Sequence, residues 1–301
     1  MTVRRLKAEL VEAADAILGE GPTWDASRQR LSWVDILGGR IHVCDAEGRT
    51  LESHSLRKHV AAALPSEDGG WLVVAHSGFG LLDQEGSYST LLEVPGIGTD
   101  IRFNDAKCDP QGRALAGTMR YDETAGHGTL YRLDDGPSAV PLLSKRGLCN
   151  GIGWSLDGHL FYFIDSLTFS VATYGYDPVD GILGQVGQLA TFDKSMGLPD
   201  GLCVDDDGGV WVAFYGGGAL HRYRPSGKLD TIVELPVPYP TSMSFGGAKS
   251  DRLFITSAGG TGHRHLDEPS SAAGYGNGGL WAVDPDITGP PVTLWRPVVM
   301  H

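Results

Sequence analysis

Short apolar runs alternate along the chain with turns built on Asp and Gly, and the alternation has a period. Strongly apolar segments occupy Leu31–Asp35, Trp71–Ala75, Ala114–Thr118, Leu160–Ile164, Val210–Phe214 and Leu253–Ser257, with starts separated by 40, 43, 46, 50 and 43 residues. That spacing is the repeat length of propeller blades. A glycine loop and a third strand of alternating character follow each run, as in Gly128–Asp134, Gly218–Tyr223 and Gly279–Asp284. A more polar fourth strand comes next, such as Leu229–Leu235. Four strands per unit and six units predict an all-β chain: a six-bladed β-propeller with four-stranded antiparallel blades, one domain over residues 1–301. A β-sandwich accommodates six in-phase repeats poorly. Near the end, Val292–Arg296 reads as the third strand of the sixth blade. Its outer strand would then come from Leu6–Glu12, closing the ring and covering two sheet edges.

The strand preceding each apolar run is the innermost of its blade, so equivalent positions form a ring around the central channel. Blades start near Glu20, Ala61, Asn104, Asn150, Asp200 and Thr241. Four of these, Glu20, Asn104, Asn150 and Asp200, are poor strand residues. Singly, Asn150-Gly151 or Asp200-Gly201 would be an ordinary turn pair. In register, two carboxylates and two amides converging on an axis call for a divalent cation. The carboxylates balance its charge and the amide oxygens add neutral ligands. An all-oxygen set suits a hard ion such as Ca²⁺, Mg²⁺ or Mn²⁺, and the absence of His and Cys from the column disfavours a structural zinc site.

Composition sharpens the class. Gly supplies 43 of 301 residues, with 17 Pro, which suits many turns between short strands. Lys and Arg number 24 against 37 Asp and Glu, a formal net charge of −13, which argues against nucleic acid as partner. The chain contains no apolar run of 18 residues, so no membrane span is expected, and Met1–Asp15 lacks the apolar core of a signal peptide. Cys44, Cys108, Cys149 and Cys203 form no CxxC pair and read as buried free thiols of a cytoplasmic protein. The sequence holds no Gly-x-Ser-x-Gly elbow, no HExxH and no P-loop.

At Leu18–Asp25, Arg102–Asp105, Ala116–Met119, Asn150–Gly151, Asp165–Ser166, Pro199–Leu202, Val210–Ala213 and Pro240–Thr241 leading into Phe245–Gly247, the chain resembles the senescence marker protein/gluconolactonase (regucalcin-like) family, in its bacterial sugar-lactonase type. The resemblance runs from about residue 18 to 258. It implies a six-bladed propeller that hydrolyses a sugar lactone to the aldonic acid with one bound divalent metal. Calcium is the first choice, and Mn²⁺, Mg²⁺, Zn²⁺ or Fe²⁺ are the others. Glu20, Asn150 and Asp200 are implied as metal ligands, and Arg102 and Asn104 as substrate contacts, with Asn104 near or on the metal. Arg102 lies two residues before Asn104, so strict alternation gives it the same facing, higher at the mouth.

Two departures stand out. Family members often place an acidic residue close behind the methionine equivalent to Met119; here the sequence is Arg120-Tyr121-Asp122-Glu123, and spacing selects Asp122 for substrate contact ahead of Glu123. The sixth blade also carries a long Gly259–Gly278 segment with His263 and His265, read as a mobile loop or lid that sets substrate choice rather than as a second metal site. In the expected chemistry, the metal acts as Lewis acid, Asp200 as general base, and Glu20 as a structural ligand. Arg102 and Asn104 orient sugar hydroxyls or hold the developing oxyanion. An organophosphate-type ester hydrolase on the same site, or a non-enzymatic calcium-binding propeller, are the competing readings. The expected partner is a small-molecule sugar lactone, and the expected state a monomer or weak homo-oligomer.

Overall fold

The computed structural model describes residues 2–259 and 277–297. Six antiparallel sheets carry the chain, with innermost strands Gly19–Asp25, Val60–Pro65, Ile101–Cys108, Cys149–Trp154, Leu198–Val204 and Pro240–Gly246. The six-bladed propeller predicted from the repeat is therefore the fold. The described residues contain no α-helix, only two 3-10 turns at Ser166–Thr168 and Lys194–Met196. None of their helices is long and apolar enough to cross a membrane. The four cysteines are buried free thiols.

The apolar runs are the second strands, and their continuity has a packing cause. Each blade is covered on both faces, so both sets of alternating side chains are buried. In the fifth blade Trp211 and Ala213 face the sixth, while Val210, Val212 and Phe214 face the fourth. Every seam between neighbouring blades holds one such apolar cluster, six in all.

The N-terminal segment closes the ring, but as two strands. Glu9–Glu12 pairs antiparallel with Leu280–Val283 and completes the sixth blade. Arg4–Lys7 lies parallel to Leu229–Glu234 and adds a fifth strand to the fifth blade. The chain passes between them at Ala8, whose N–H donates to the Glu234 carbonyl at 3.0 Å. The reading of Val292–Arg296 as the sixth blade's third strand is corrected: Leu280–Val283 fills that place, pairing with Arg252–Ser257. Pro290 and Pro291 interrupt the later segment, which instead runs as a strap across neighbouring blades. The Thr288 carbonyl accepts from Asp206 N at 2.9 Å, and Gly289 N donates to the Ser250 carbonyl at 2.9 Å. Trp295 N donates to the Pro65 carbonyl at 2.8 Å, and Arg296 N to the Gly112 carbonyl at 2.9 Å. The strap thus ties blades five and six to blades two and three.

Trp295 anchors the strap at 2% exposure within the seam between blades two and three. Trp295→Ala should cost about 3–5 kcal/mol, the range for deleting a buried aromatic side chain. Urea unfolding should show a lower midpoint with an unchanged denaturant slope; an unchanged midpoint would mean that the strap does not hold the ring.

Candidate functional site

All six inner strands break register with their neighbours at the same level. The irregularities fall between Glu20 and Thr23, Val60 and Ala62, Phe103 and Asp105, Asn150 and Ile152, Pro199 and Leu202, and Pro240 and Met243. An extra residue in one strand bends it and re-aims side chains, which is the usual effect of a β-bulge beside a site. Here the six bulges coincide with the six ring positions. The pairs Asn150-Gly151 and Asn104-Asp105 lie inside strands rather than in turns, as does Asp200-Gly201. Gly151 is required by close approach of the next blade: a Cβ there would stand 2.8 Å from the Asp200 carbonyl.

Glu20, Asn104, Asn150 and Asp200 are buried and line one cavity of about 430 Å³. A directed set of hydrogen bonds links the amides. Arg102 Nη1 donates to Asn104 Oδ1 at 2.6 Å, and Asn104 Nδ2 donates to Asn150 Oδ1 at 2.6 Å and to the Cys149 carbonyl at 3.1 Å. Asn150 Nδ2 donates to Ser166 Oγ at 2.8 Å, and Ser166 Oγ donates to the Pro199 carbonyl at 2.6 Å. Glu20 Oε2 accepts from Gly21 N at 2.8 Å.

Burial pushes the Glu20 carboxyl up to about 8, and the nearby charge of Asp105 adds to the rise. Asp200 is held well above the usual carboxylate range, first by burial and then by Glu20 and Asp105. Burial lowers Arg102 to about 10. Three buried carboxyls therefore crowd one region, with Arg102 opposing part of their charge. Lys107 also lowers Glu20, and its Nζ donates to the Leu202 carbonyl at 2.8 Å.

The ring's other two members are inert: Ala61 is apolar, and Thr241 Oγ1 donates to the Gly19 carbonyl at 2.6 Å. Arg102 does not stand at the mouth. It is 1% exposed, spans Asn104 and the Phe103 carbonyl, and lies 5.7 Å from the Tyr121 ring, whose hydroxyl meets His59 Nδ1 at 2.8 Å. The bulge after Phe103 breaks the alternation that gave Arg102 and Asn104 a common facing. Asp122 is exposed and accepts two hydrogen bonds from Arg120, both at 2.9 Å, which hold its carboxyl far below the usual range. Glu123 lines the cavity instead; its φ of 59° turns the chain after the Arg120–Asp122 pair. His263 and His265, with the rest of the 260–276 segment, lie outside the described residues.

Sequence reasoning missed Asp105, which alternation would face away from the axis. It also missed Ser166, and the paired Tyr215 and Tyr239 of the cavity wall, whose rings are tilted by 30° with centroids 4.8 Å apart. For Ser166 the signal was present in the Asp165-Ser166 pair. The Asp165 carboxylate accepts from Gly147, Leu148 and Leu167 N–H groups and fixes the turn that carries the serine.

Residues 18–259 match the family described as SMP-30/Gluconolactonase/LRE-like region. Regucalcin of Danio rerio is 35% identical over 256 residues, covering 84% of this chain and 87% of its own. Pentonolactonase XacC of Haloferax volcanii is 33% identical over 274 residues, covering 91% of this chain and 93% of its own. The solved structure of a calcium-binding protein, regucalcin, from Agrobacterium tumefaciens superposes with a TM-score of 0.89 at 26% identity, covering 99% of this chain and 100% of that one. With a propeller whose axial ring falls inside the matched segment, the chain belongs to the SMP-30/gluconolactonase/LRE-like family.

Proposed function

We propose that the protein hydrolyses a sugar lactone to the aldonic acid, using one divalent cation, calcium first, held by Glu20, Asn150 and Asp200. The observation that carries this reading is the pair of buried carboxyls, Glu20 and Asp200, each raised in proton affinity partly by the other or by Asp105, beside an amide oxygen in one cavity. Two mutually repelling buried carboxylates whose charge Arg102 and Lys107 offset only in part fit a hard cation. Family membership supports the reaction class, and the pentonolactonase relative supports the substrate class.

When bound, the cation supplies Lewis-acid polarisation of the lactone carbonyl. The chain's own groups do the rest. Glu20 has one oxygen committed to Gly21 N, so Asp200 is the carboxylate free to take the proton of the attacking water. As the ring C–O bond of the tetrahedral intermediate breaks, the same proton passes to the departing alkoxide. Glu123 contacts sugar hydroxyls from the cavity wall, and Tyr215 and Tyr239 offer the sugar an apolar face. The Asn104 amide holds Asn150 in place.

Aldonolactone hydrolysis by metal-stripped protein, with Ca²⁺ or Mn²⁺ restored, tests the proposal. Activity should return with the ion, and Asp200→Asn should lower kcat about 10²–10⁴-fold, the usual contribution of a positioned base. Ion binding without turnover on any lactone would sink it. Glu123→Gln should raise KM several-fold, whereas Asp122→Asn should leave kinetics unchanged; the reverse result would restore the spacing-based choice.

Stability of the metal-free protein carries a signature with a definite sign. A carboxyl that binds its proton more tightly when folded loses stability as pH rises from its free value toward its folded one. For Glu20 that window runs from 4.5 to about 8, and Asp200 shifts in the same direction. The buried His42 and the half-buried His59 and His221 are shifted down and act oppositely, but only below 6.5. Between pH 6.5 and 8 the melting temperature of metal-free protein should therefore fall. Saturating Ca²⁺ should remove the fall, and Glu20→Gln should reduce it; a flat profile without metal would contradict the electrostatics described.

A further inference from the structure

Hydrogen-bond polarity around the ring assigns a role to a residue to which neither the spacing nor the family resemblance gives one. We infer that Ser166 is a positioning residue: it fixes the orientation of the Asn150 amide so that the oxygen, and not the nitrogen, is presented to the cation. The inference rests on the cation reading proposed above.

The argument is one of donors and acceptors. An amide can turn about its last bond and exchange its oxygen and nitrogen, so its orientation must come from its partners. At one end of the hydrogen-bonded set stands the Arg102 guanidinium, which only donates; at the other stands the Pro199 carbonyl, which only accepts. Because Arg102 donates, the Asn104 oxygen must face it, and the two Asn104 N–H groups go to the Cys149 carbonyl and to Asn150 Oδ1. Because the Pro199 carbonyl takes the single Ser166 hydroxyl proton, Ser166 Oγ can only accept from Asn150, and the Asn150 nitrogen must face it. Both ends give the same answer: Asn150 Oδ1 is turned away from Ser166, with one lone pair on Asn104 and one left over. Reversing the Asn150 amide would set its oxygen against an oxygen with no proton to give, and its nitrogen against the Asn104 nitrogen.

Ser166 is itself held. Its N–H donates to the Leu148 carbonyl at 3.0 Å, it is fully buried, and it begins the 3-10 turn capped by Asp165. It also lines the cavity, so its hydroxyl sits where the amide is engaged. Its effect on the cation passes through Asn150. Outer partners of this kind commonly change metal affinity by about 10–100-fold when removed.

Calorimetric titration of the metal-stripped full chain with CaCl₂, repeated with MnCl₂, tests the assignment without reference to turnover. Ser166→Ala, and Ser166→Cys as a second variant of similar size and weaker donor strength, should each weaken affinity about 10–100-fold with the melting temperature of the metal-free protein largely kept. The discriminating measurement is Ser166→Ala in an Asn150→Asp background. A carboxylate presents oxygen whichever way it turns, so there the serine substitution should change affinity less than about threefold, a coupling that a packing role would not produce. Unchanged affinity in the single variants, or an equal loss in both backgrounds, overturns the inference while leaving the cation reading intact. If the unsubstituted protein binds neither ion, the cation reading falls and the inference falls with it.

Discussion

Six inner strands cannot approach a common axis with regular pleats and still aim polar side chains at one level of it. The in-phase bulge resolves this conflict, and most of the site depends on it. It turns Glu20, Asn104, Asn150 and Asp200 toward one cavity and brings Asp105 near the same carboxyls. Small neighbours follow from the same crowding: Gly151 and Gly201 sit where a Cβ would strike the adjacent blade. Register and chemistry are therefore set by one backbone feature, repeated around the ring.

Concentrating carboxyls at the axis opposes folding unless their charge is met. Arg102 and Lys107 meet part of it from within the chain. Both are constrained there, Arg102 by Asn104 and the Phe103 carbonyl and Lys107 by the Leu202 carbonyl. The remaining demand is what the proposed divalent ion would meet, and its binding would link ion affinity, proton release and stability in a single equilibrium.

Much of this was legible in the sequence. The repeat gave the blades because both faces of each second strand are buried, which leaves continuous apolar runs such as Val210–Phe214. The ring was legible because four polar residues recur in phase. Asp105 and the true position of Arg102 were not, since both depend on a bulge that has no local signature beside Asn104. Which of Asp122 and Glu123 lines the cavity turned on the Arg120 ion pair and a left-handed Glu123, neither of which spacing reveals. Val292–Arg296 misled because a strap that buries Trp295 has the same apolar spacing as a strand.

The closure of the ring has a consequence for synthesis. Leu6 pairs with Val233, and Glu9 with Ala282, so these two strands wait during synthesis for partners made more than two hundred residues later. Trp295 then reaches back to Pro65. Blade after blade can form during translation, but the seam that joins the sixth blade to the first is sealed only once Leu280–Val283 has emerged. Until then two sheet edges stay open to other nascent chains. Ring closure is thus timed by the synthesis of the sixth blade, and contacts of such long sequence separation are slow to form.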